Sequence, residues 1–360
     1  LLVSNPESLV RLQALERLAP RLLEISRGLP GLAERLLSGE VVEPMAIKRA
    51  DADLVRSAWW GAVAAGLLEP DGQPLGRRLA DVADAVAVAT WGFDPDRSAV
   101  IALGSWGARD LLTTSDLDAL VWFGADVPTE VAEAAVTQWL KRWADLPMKV
   151  DLRLRPEGRF GRLATRASAL ETYAEQHLEP WERFALGRSR RVIGAPAGLE
   201  QVRALAYPEA WSAEMKAQLH QMKGRIERER SGGTRDLKLG PGGSDDFAWL
   251  LGVGLLSLGS QARGVAADAE SRLAALVESG RVPGATARDV LSAHHRGQTV
   301  RQLRALQDDP DEPWPPSPAK LESMAARLGY ASGVALIQAH AEDRASIRAA
   351  WEAMARQVLT

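Results

Sequence analysis

The chain has 360 residues, a formal net charge of −3 at pH 7 and no cysteine. Such a length favours two to three domains with a large buried core. The absence of cysteine excludes disulfides, thiol catalysis and cysteine-ligated zinc, and it fits the reducing conditions of the cytoplasm, where we expect the protein. The slightly negative charge argues against a nucleic-acid partner, and no apolar run approaches the ~20 residues of a membrane span.

The spacing of apolar residues divides the chain into three predicted regions. Residues 1–95 carry leucine and alanine at helical spacing and are predicted as an N-terminal helical region. Residues 96–200 are predicted as a small domain with a mixed β-sheet, because apolar runs alternate there with an amphipathic stretch. Residues 201–360 are predicted as a C-terminal helical bundle. The expected fold class is therefore α+β, with the sheet domain flanked by helices.

Within the middle region the pattern predicts three strands and two helices. In chain order these are a strand over 99–103, a short helix over 109–114, a strand over 117–123, an amphipathic helix over 128–145 and a strand over 149–155. Strict alternation in the last strand predicts that Asp151, Arg153 and Arg155 share one face. From about residue 168 the pattern is helical to the end of the chain.

Two carboxylates, Asp116 and Asp118, stand two residues apart on the second predicted strand, so they point to the same face. At a separation of ~4 Å and an effective dielectric of ~20 they would repel by roughly 4 kcal/mol. A divalent cation between them would remove that repulsion, and Asp151 on the next strand offers a third carboxylate. Such a density of oxygen ligands suits Mg²⁺ or Mn²⁺. The alternative is a solvated strand end with surface aspartates.

Several residues near these carboxylates are candidates for phosphate binding. Gly104 and Ser105 form a turn whose backbone amides and hydroxyl suit phosphate oxygens, although a tight turn without a ligand would look the same. Arg153 and Arg155 would either clamp a triphosphate or neutralise the carboxylates. Lys238, beside a glycine-rich loop, either reaches a phosphate or belongs to a structural loop. Together these features indicate a metal-dependent nucleotidyl-transfer site.

Four motifs in the same order resemble those of the glutamine synthetase adenylyltransferase family. Residues 104–119 are similar to the family's G-K-L-G-G-R-E-L-x-x-x-S-D-[LI]-D-L, and residues 150–161 are similar to V-D-x-R-L-R-P-x-G-x-x-G. Residues 181–190 resemble W-E-R-x-A-L-x-[KR]-[AS]-R, and residues 236–243 resemble D-[IV]-K-L-G-x-G-G. The resemblance runs from about residue 97 to 260 and continues more loosely through the terminal helices.

This resemblance implies a nucleotidyltransferase-type sheet domain, in which Arg109 and Ser115 of the first motif also contact the nucleotide. Family enzymes usually carry two such halves: one adds AMP to a tyrosine of glutamine synthetase, and the other removes it by phosphorolysis, which gives ADP. This chain is about one half and looks more like the N-terminal, deadenylylating half, as a fragment or a single-half homologue. The resemblance implies Mg²⁺ or Mn²⁺, ATP or ADP as substrate, glutamine synthetase as partner and a nitrogen-signal regulatory protein as a further partner.

The chain departs from the family motifs at several positions. Ser105 stands where the family has lysine, and Asp110 where it has glutamate. After Gly243 the family reads I-R-[DE]-[IV]-E-F, and here the arginine and the second acid are absent. These departures leave open a catalytically silent homologue that binds nucleotide or a partner protein. A nucleotidyltransferase acting on a small molecule is a further alternative, against which the long C-terminal helical region argues because it can dock a protein substrate.

Overall fold

The computed structural model of the chain describes residues 5–29, 31–48, 51–68, 73–155, 158–176, 178–307 and 313–359. Five α-helices precede the first strand in this part of the chain: α1 Pro6–Leu18, α2 Pro20–Arg27, α3 Leu32–Ser38, α4 Ala52–Leu68 and α5 Leu75–Thr90. Asn5 caps α1 by accepting a hydrogen bond from the amide of Glu7 at 3.0 Å, as expected for asparagine before proline at a helix start.

The strands lie between residues 98 and 194, and four α-helices of the described chain are interleaved with them. The strands are β1 Ser98–Ala102, β2 Leu117–Phe123, β3 Val150–Asp151, β4 Ala164–Arg166 and β5 Arg190–Gly194. The helices from this region onward are α6 Gly104–Gly107, α7 Thr129–Arg142, α8 Ala167–Gln176, α9 Pro180–Leu186 and α10 Pro196–Ala206. They are followed by α11 Ala213–Glu229, α12 Ser244–Leu256, α13 Ala269–Glu278, α14 Gly284–Ala305, α15 Pro318–Arg327 and α16 Gly333–Val358.

The sheet is mixed, which confirms the α+β prediction. Its order is β3-β2-β1-β5, and β4 also pairs with β2. Strand β1 runs antiparallel to β2 and to β5, whereas β2 runs parallel to β3 and to β4. This arrangement brings the N-terminal ends of β2 and β3 side by side.

Both faces of the sheet are buried, which explains why its central strands read as continuous apolar runs. Val100 and Ala102 of β1 face a core shared with the N-terminal helices and α7. Ala99 and Ile101 face a second core shared with α10, α12 and the C-terminal helices. The first core also includes Leu303 of α14 and Met324 of α15, so the N-terminal and C-terminal helices pack against each other as well as against the sheet.

Three predictions for the middle region were wrong in detail. The residues predicted as a helix over 109–114 form turns and a loop; the helix of this region is the single turn α6 just before them, and Arg109 adopts a left-handed φ of +56° that prevents its continuation. The strand predicted over 149–155 stops at Asp151, whose carboxylate accepts hydrogen bonds from the amide and Nε of Arg153 and turns the chain. Strands β4 and β5 were not predicted; β5 follows the third motif and pairs with β1. Pro156 and Glu157 of the second motif lie outside the described residues.

Candidate active site

The pairing of β2 with β3 places two of the predicted carboxylates next to each other. Asp118 and Asp151 are partners in this parallel register, and Asp116 stands two residues before Asp118. Asp151 is buried, Asp118 is partly buried and Asp116 is exposed. The three carboxylates thus form a row from the interior to the surface.

The charges in this row are unequally compensated. The Nε of Arg153 lies 2.6 Å from Oδ2 of Asp151, and its Nη2 lies 3.8 Å from Oδ2 of Asp116. Burial acts to raise the pKa of Asp151, but the hydrogen bonds and charge of Arg153 outweigh it and hold that pKa below its usual value. Burial, followed by the negative charge of Asp151, raises the pKa of Asp118 to about 6. Asp118 is therefore the carboxylate that most lacks a cation.

Gly104 lets the backbone approach this carboxylate. It begins α6 with a φ of +55°, and a Cβ atom on it would lie 2.3 Å from Oδ2 of Asp118. Only glycine combines this backbone conformation with so close a contact. The Gly-Ser turn is therefore built against Asp118, as the first motif predicted.

A cavity of about 180 Å³ opens beside Asp118. Four of the predicted site residues line it, namely Ser105, Ser115, Asp118 and Lys238. The Oγ of Ser115 accepts a hydrogen bond from the amide of Leu112 at 3.0 Å, which fixes the turn before β2. The cavity thus joins the first and fourth motifs, which are far apart in the sequence.

The glycine-rich loop that carries Lys238 is held by α16. Arg344 donates from its guanidinium to the carbonyls of Pro241 at 2.9 Å, Thr234 at 2.8 Å and Asp236 at 3.0 Å. Asp236 in turn accepts from the amide of Lys238 at 2.8 Å. These bonds fix the backbone on either side of Lys238. The loop is therefore structural, as one of the two predictions for Lys238 had it, and the lysine also lines the cavity.

Two predicted phosphate ligands have other contacts. Arg109 pairs with Asp81 and Asp84 of α5 and is absent from the described residues that line the cavity. Arg155 is buried, and its guanidinium donates to the carbonyls of Leu152 at 2.6 Å and Gly161 at 3.1 Å. Arg155 therefore does not share a face with Asp151, because the chain has turned at Asp151.

Eight further charged or polar side chains line the cavity without having been predicted as site residues. They are Asp110, Arg188, Ser244, Asp245, Arg272, His294, Gln298 and Arg301. Nε2 of His294 lies 2.8 Å from Oδ2 of Asp110, and Lys223 donates to Asp245 at 2.8 Å. Arg188 stands in the third motif and was within reach of sequence analysis, whereas Arg272 and Arg301 belong to no motif.

The carboxylates of Asp116, Asp118 and Asp151 are the candidate ligands for a divalent cation. As the side chains stand, the described residues contain no group of three or more His, Asp or Glu that could hold a metal ion. Arg153 explains why these carboxylates do not form such a group, because its guanidinium lies between Asp151 and Asp116. Arg153 is nevertheless 69% exposed, and the charges of Arg188 and Arg153 only partly offset the burial that raises the pKa of Asp118. The donor set fits a hard cation that would replace this guanidinium.

The mixed sheet, with Asp118 and Asp151 in register beside a glycine turn, fits the nucleotidyl-transfer site that the sequence predicts. Residues 90–204 match the family described as "Glutamate-ammonia ligase adenylyltransferase". A "Bifunctional glutamine synthetase adenylyltransferase/adenylyl-removing enzyme" of Caulobacter vibrioides is 31% identical over 326 residues, which are 79% of this chain and 32% of that protein. This finding confirms the family resemblance that the four motifs predicted.

Further relatives carry the same name. That of Mycobacterium leprae is 30% identical over 65% of this chain and 26% of its own length. That of Stenotrophomonas maltophilia is 32% identical over 61% of this chain and 28% of its own length. The chain thus spans about a third of the length of these relatives. None of the helices in the described ranges is long and apolar enough to cross a membrane.

Proposed function

We propose that this chain is a magnesium-dependent nucleotidyltransferase that transfers AMP to, or removes AMP from, a tyrosine of glutamine synthetase. The observation that carries the proposal is the in-register pair of Asp118 and Asp151 beside a cavity lined by Arg188 and Lys238. Carboxylates on one side and cations on the other suit a phosphate-rich substrate held through a metal. The names of the relatives supply the acceptor.

Asp116, Asp118 and Asp151 would hold Mg²⁺ or Mn²⁺, with Arg153 released toward solvent. When bound, the ion would neutralise charge on the phosphate oxygens and stabilise the entering and leaving oxygens. Gly104 keeps the space beside Asp118 open, and Ser105 lines the cavity. In this proposal Ser105 and Lys238 contact phosphate, Ser115 fixes the turn, and Arg109 and Arg155 hold the surrounding backbone.

The nucleotide is ATP in the forward direction and ADP as the product of phosphorolysis. In phosphorolysis an oxygen of hydrogen phosphate attacks the phosphorus of tyrosine-bound AMP, and the bond to the tyrosine oxygen breaks. The proton of hydrogen phosphate passes to that oxygen, so that ADP and tyrosine form with charge conserved. The chain's third and fourth motifs favour this direction. We place the reaction in the cytoplasm, where ATP and glutamine synthetase meet, under control of a nitrogen-signal regulatory protein.

The test uses both directions. Purified chain is incubated with glutamine synthetase and labelled ATP, and separately with adenylylated glutamine synthetase and phosphate, each with Mg²⁺ or with EDTA. We expect Mg²⁺-dependent transfer or release of AMP that Asp118→Asn abolishes. Asp289→Asn, which alters an exposed aspartate of α14, serves as the matched control and should keep full activity.

Calorimetry with ATP separates this proposal from a silent homologue. ATP binding without AMP turnover in either direction would refute the proposed activity and favour a regulatory binding module. Full activity in Asp118→Asn would refute the assignment of the site itself.

A further inference from the structure

Arg272 of α13 is a buried cation without a partner for most of its guanidinium. The residue is 1% exposed, and its Nε and Nη2 atoms are buried with no hydrogen-bond acceptor within reach in the structure. The same side chain lines the cavity beside Asp118. A buried donor left unpaired is unfavourable, and more so when it carries charge. The fold therefore keeps an unfavourable group at the wall of the catalytic cavity.

The surroundings of Arg272 do not neutralise it. Arg188, whose Nε is also buried and unpaired, and Arg203 both repel it electrostatically. The opposite charge nearby comes from Asp268, which already caps α13 by accepting from the amide of Ser271 at 2.9 Å. Burial lowers the pKa of Arg272 to about 10, so the guanidinium still carries its charge at neutral pH.

Other buried cations of this chain show how the fold satisfies such groups. Arg344 donates to three carbonyls, and Lys223 donates to Asp245 and lies 2.6 Å from Oδ1 of Asp246. Arg272 has no ion pair with the described carboxylates within 4 Å, although it is among the most buried side chains. A purely structural role would leave this difference without a cause.

The carboxylates that line the same cavity are already engaged, with the exception of Asp118. Asp110 is paired with His294, and Asp245 with Lys223. The charge of Arg188 is partly balanced by Asp118, whereas Arg272 has no ion pair with a lining carboxylate. An anion entering the cavity would therefore meet the unpaired Nε of Arg188 and the unpaired Nε and Nη2 of Arg272. Guanidinium groups bind tetrahedral phosphate through paired N–H donors.

We propose that Arg272 and Arg188 form a phosphate subsite at the wall of the catalytic cavity. The subsite takes a phosphoryl group, either free inorganic phosphate or the terminal phosphates of a nucleotide. Its part in the reaction rests on the proposed function: it would hold the phosphate that takes up AMP, or the end of ATP that departs. The binding itself does not depend on catalysis.

The test measures binding directly by calorimetry, with inorganic phosphate and separately with ATP and Mg²⁺. The proteins are the wild type, Arg272→Met, Arg272→Lys and the control Arg288→Met, which alters an exposed arginine of α14. We expect Arg272→Met to weaken binding about tenfold to a hundredfold, Arg272→Lys to weaken it less, and the control to leave it unchanged. If Arg272→Met weakens the binding of inorganic phosphate alone, the occupant is inorganic phosphate. If it weakens the binding of both ligands, the occupant is the terminal phosphates of the nucleotide.

Two outcomes would overturn the proposal: wild-type protein that binds neither ligand, or wild-type affinities in both Arg272 variants. Arg272→Lys keeps the test valid if Arg272→Met does not fold, because it retains length and charge. In the absence of phosphate, Arg272→Met should resist urea at least as well as the wild type, since it removes an unpaired buried charge. If phosphate binding needs Arg272 but the chain shows no AMP turnover, the proposed function is refuted and the subsite stands. If both variants carry out phosphorolysis with the wild-type KM for phosphate, the subsite is refuted and the proposed function stands.

Discussion

The raised pKa of Asp118 leads to a prediction that separates activity from stability. Burial, and then the charge of Asp151, raise this pKa from 3.8 to about 6. Because one pKa unit corresponds to about 1.4 kcal/mol, the ionised carboxylate destabilises the metal-free native state by up to about 3 kcal/mol at pH 8. Asp118→Asn keeps the shape of the side chain and removes its charge. We therefore expect the substitution to raise the free energy of unfolding by about 1–3 kcal/mol while it abolishes AMP transfer.

The pH dependence fixes the sign of this effect. Between about pH 4 and 6 the native state holds a proton on Asp118 that the unfolded state has released, so the cost of ionising Asp118 in the native state shrinks steadily as the pH falls through this range. The gain in stability from Asp118→Asn should thus be full above about pH 6 and should disappear as the pH falls to about 4. Asp289→Asn, at an exposed position, should change little at either pH.

The measurement is urea unfolding in EDTA at pH 8 and at pH 4, followed by circular dichroism. Added Mg²⁺ should stabilise the wild type at pH 8 and should have little effect on Asp118→Asn, since the metal would lose a charged ligand. A variant that unfolds at lower urea than the wild type at pH 8 would refute the reasoning. That result would mean that the carboxylate stabilises the native state and is not repelled within it.

Three further predictions concern the surroundings of the site. Gly104→Ala, which places a Cβ 2.3 Å from Oδ2 of Asp118 at a φ of +55°, should cost about 1–3 kcal/mol of stability and most of the activity; wild-type turnover would contradict this. Arg344→Met removes the bonds that hold the loop of Lys238, so it should lower the free energy of unfolding by about 3 kcal/mol and raise the KM for nucleotide, measured by urea titration and initial rates. Burial lowers the pKa of His340 from 6.5 to about 4, so stability that is full above pH 6.5 should fall by about 2–3 kcal/mol toward pH 4. His340→Leu should remove this loss of stability toward pH 4. A free energy of unfolding that depends on pH in the same way in the variant and the wild type would contradict the prediction.

The parts of the site that sequence analysis could predict are local in the chain. Asp116 and Asp118 were predicted to share a face because side chains two residues apart in a strand point the same way. Gly104 was predicted from a turn formed by residues that are neighbours in the sequence. Lys238 was predicted because its glycine-rich loop is itself a motif. Each of these signals depends on neighbours in the sequence, so no tertiary information was needed to read it.

The strand predicted beyond Asp151 was wrong because a side-chain contact turns the chain, and other side chains of the motifs have partners that a local pattern does not reveal. The alternation after Val150 suggested a longer strand, but the bond between Asp151 and Arg153 turns the chain and sends Arg155 into a backbone contact. Arg109 matched a nucleotide-binding motif, yet Asp81 of α5 offers it a partner from a distant part of the chain. Ion pairs of this kind depend on which helices pack together, and alternation in one segment carries no information about that.

The sequence alone determined the α+β class, the family resemblance and the three carboxylates, because composition, periodicity and motif spacing encode them directly. The tertiary structure alone decided which cations face those carboxylates. Arg188 precedes β5 and Arg272 lies on α13, and the two line one cavity only because the tertiary structure brings these segments together. The surroundings of a side chain are set by packing between segments distant in the chain, and those surroundings leave Arg272 buried at the cavity wall with unpaired donors.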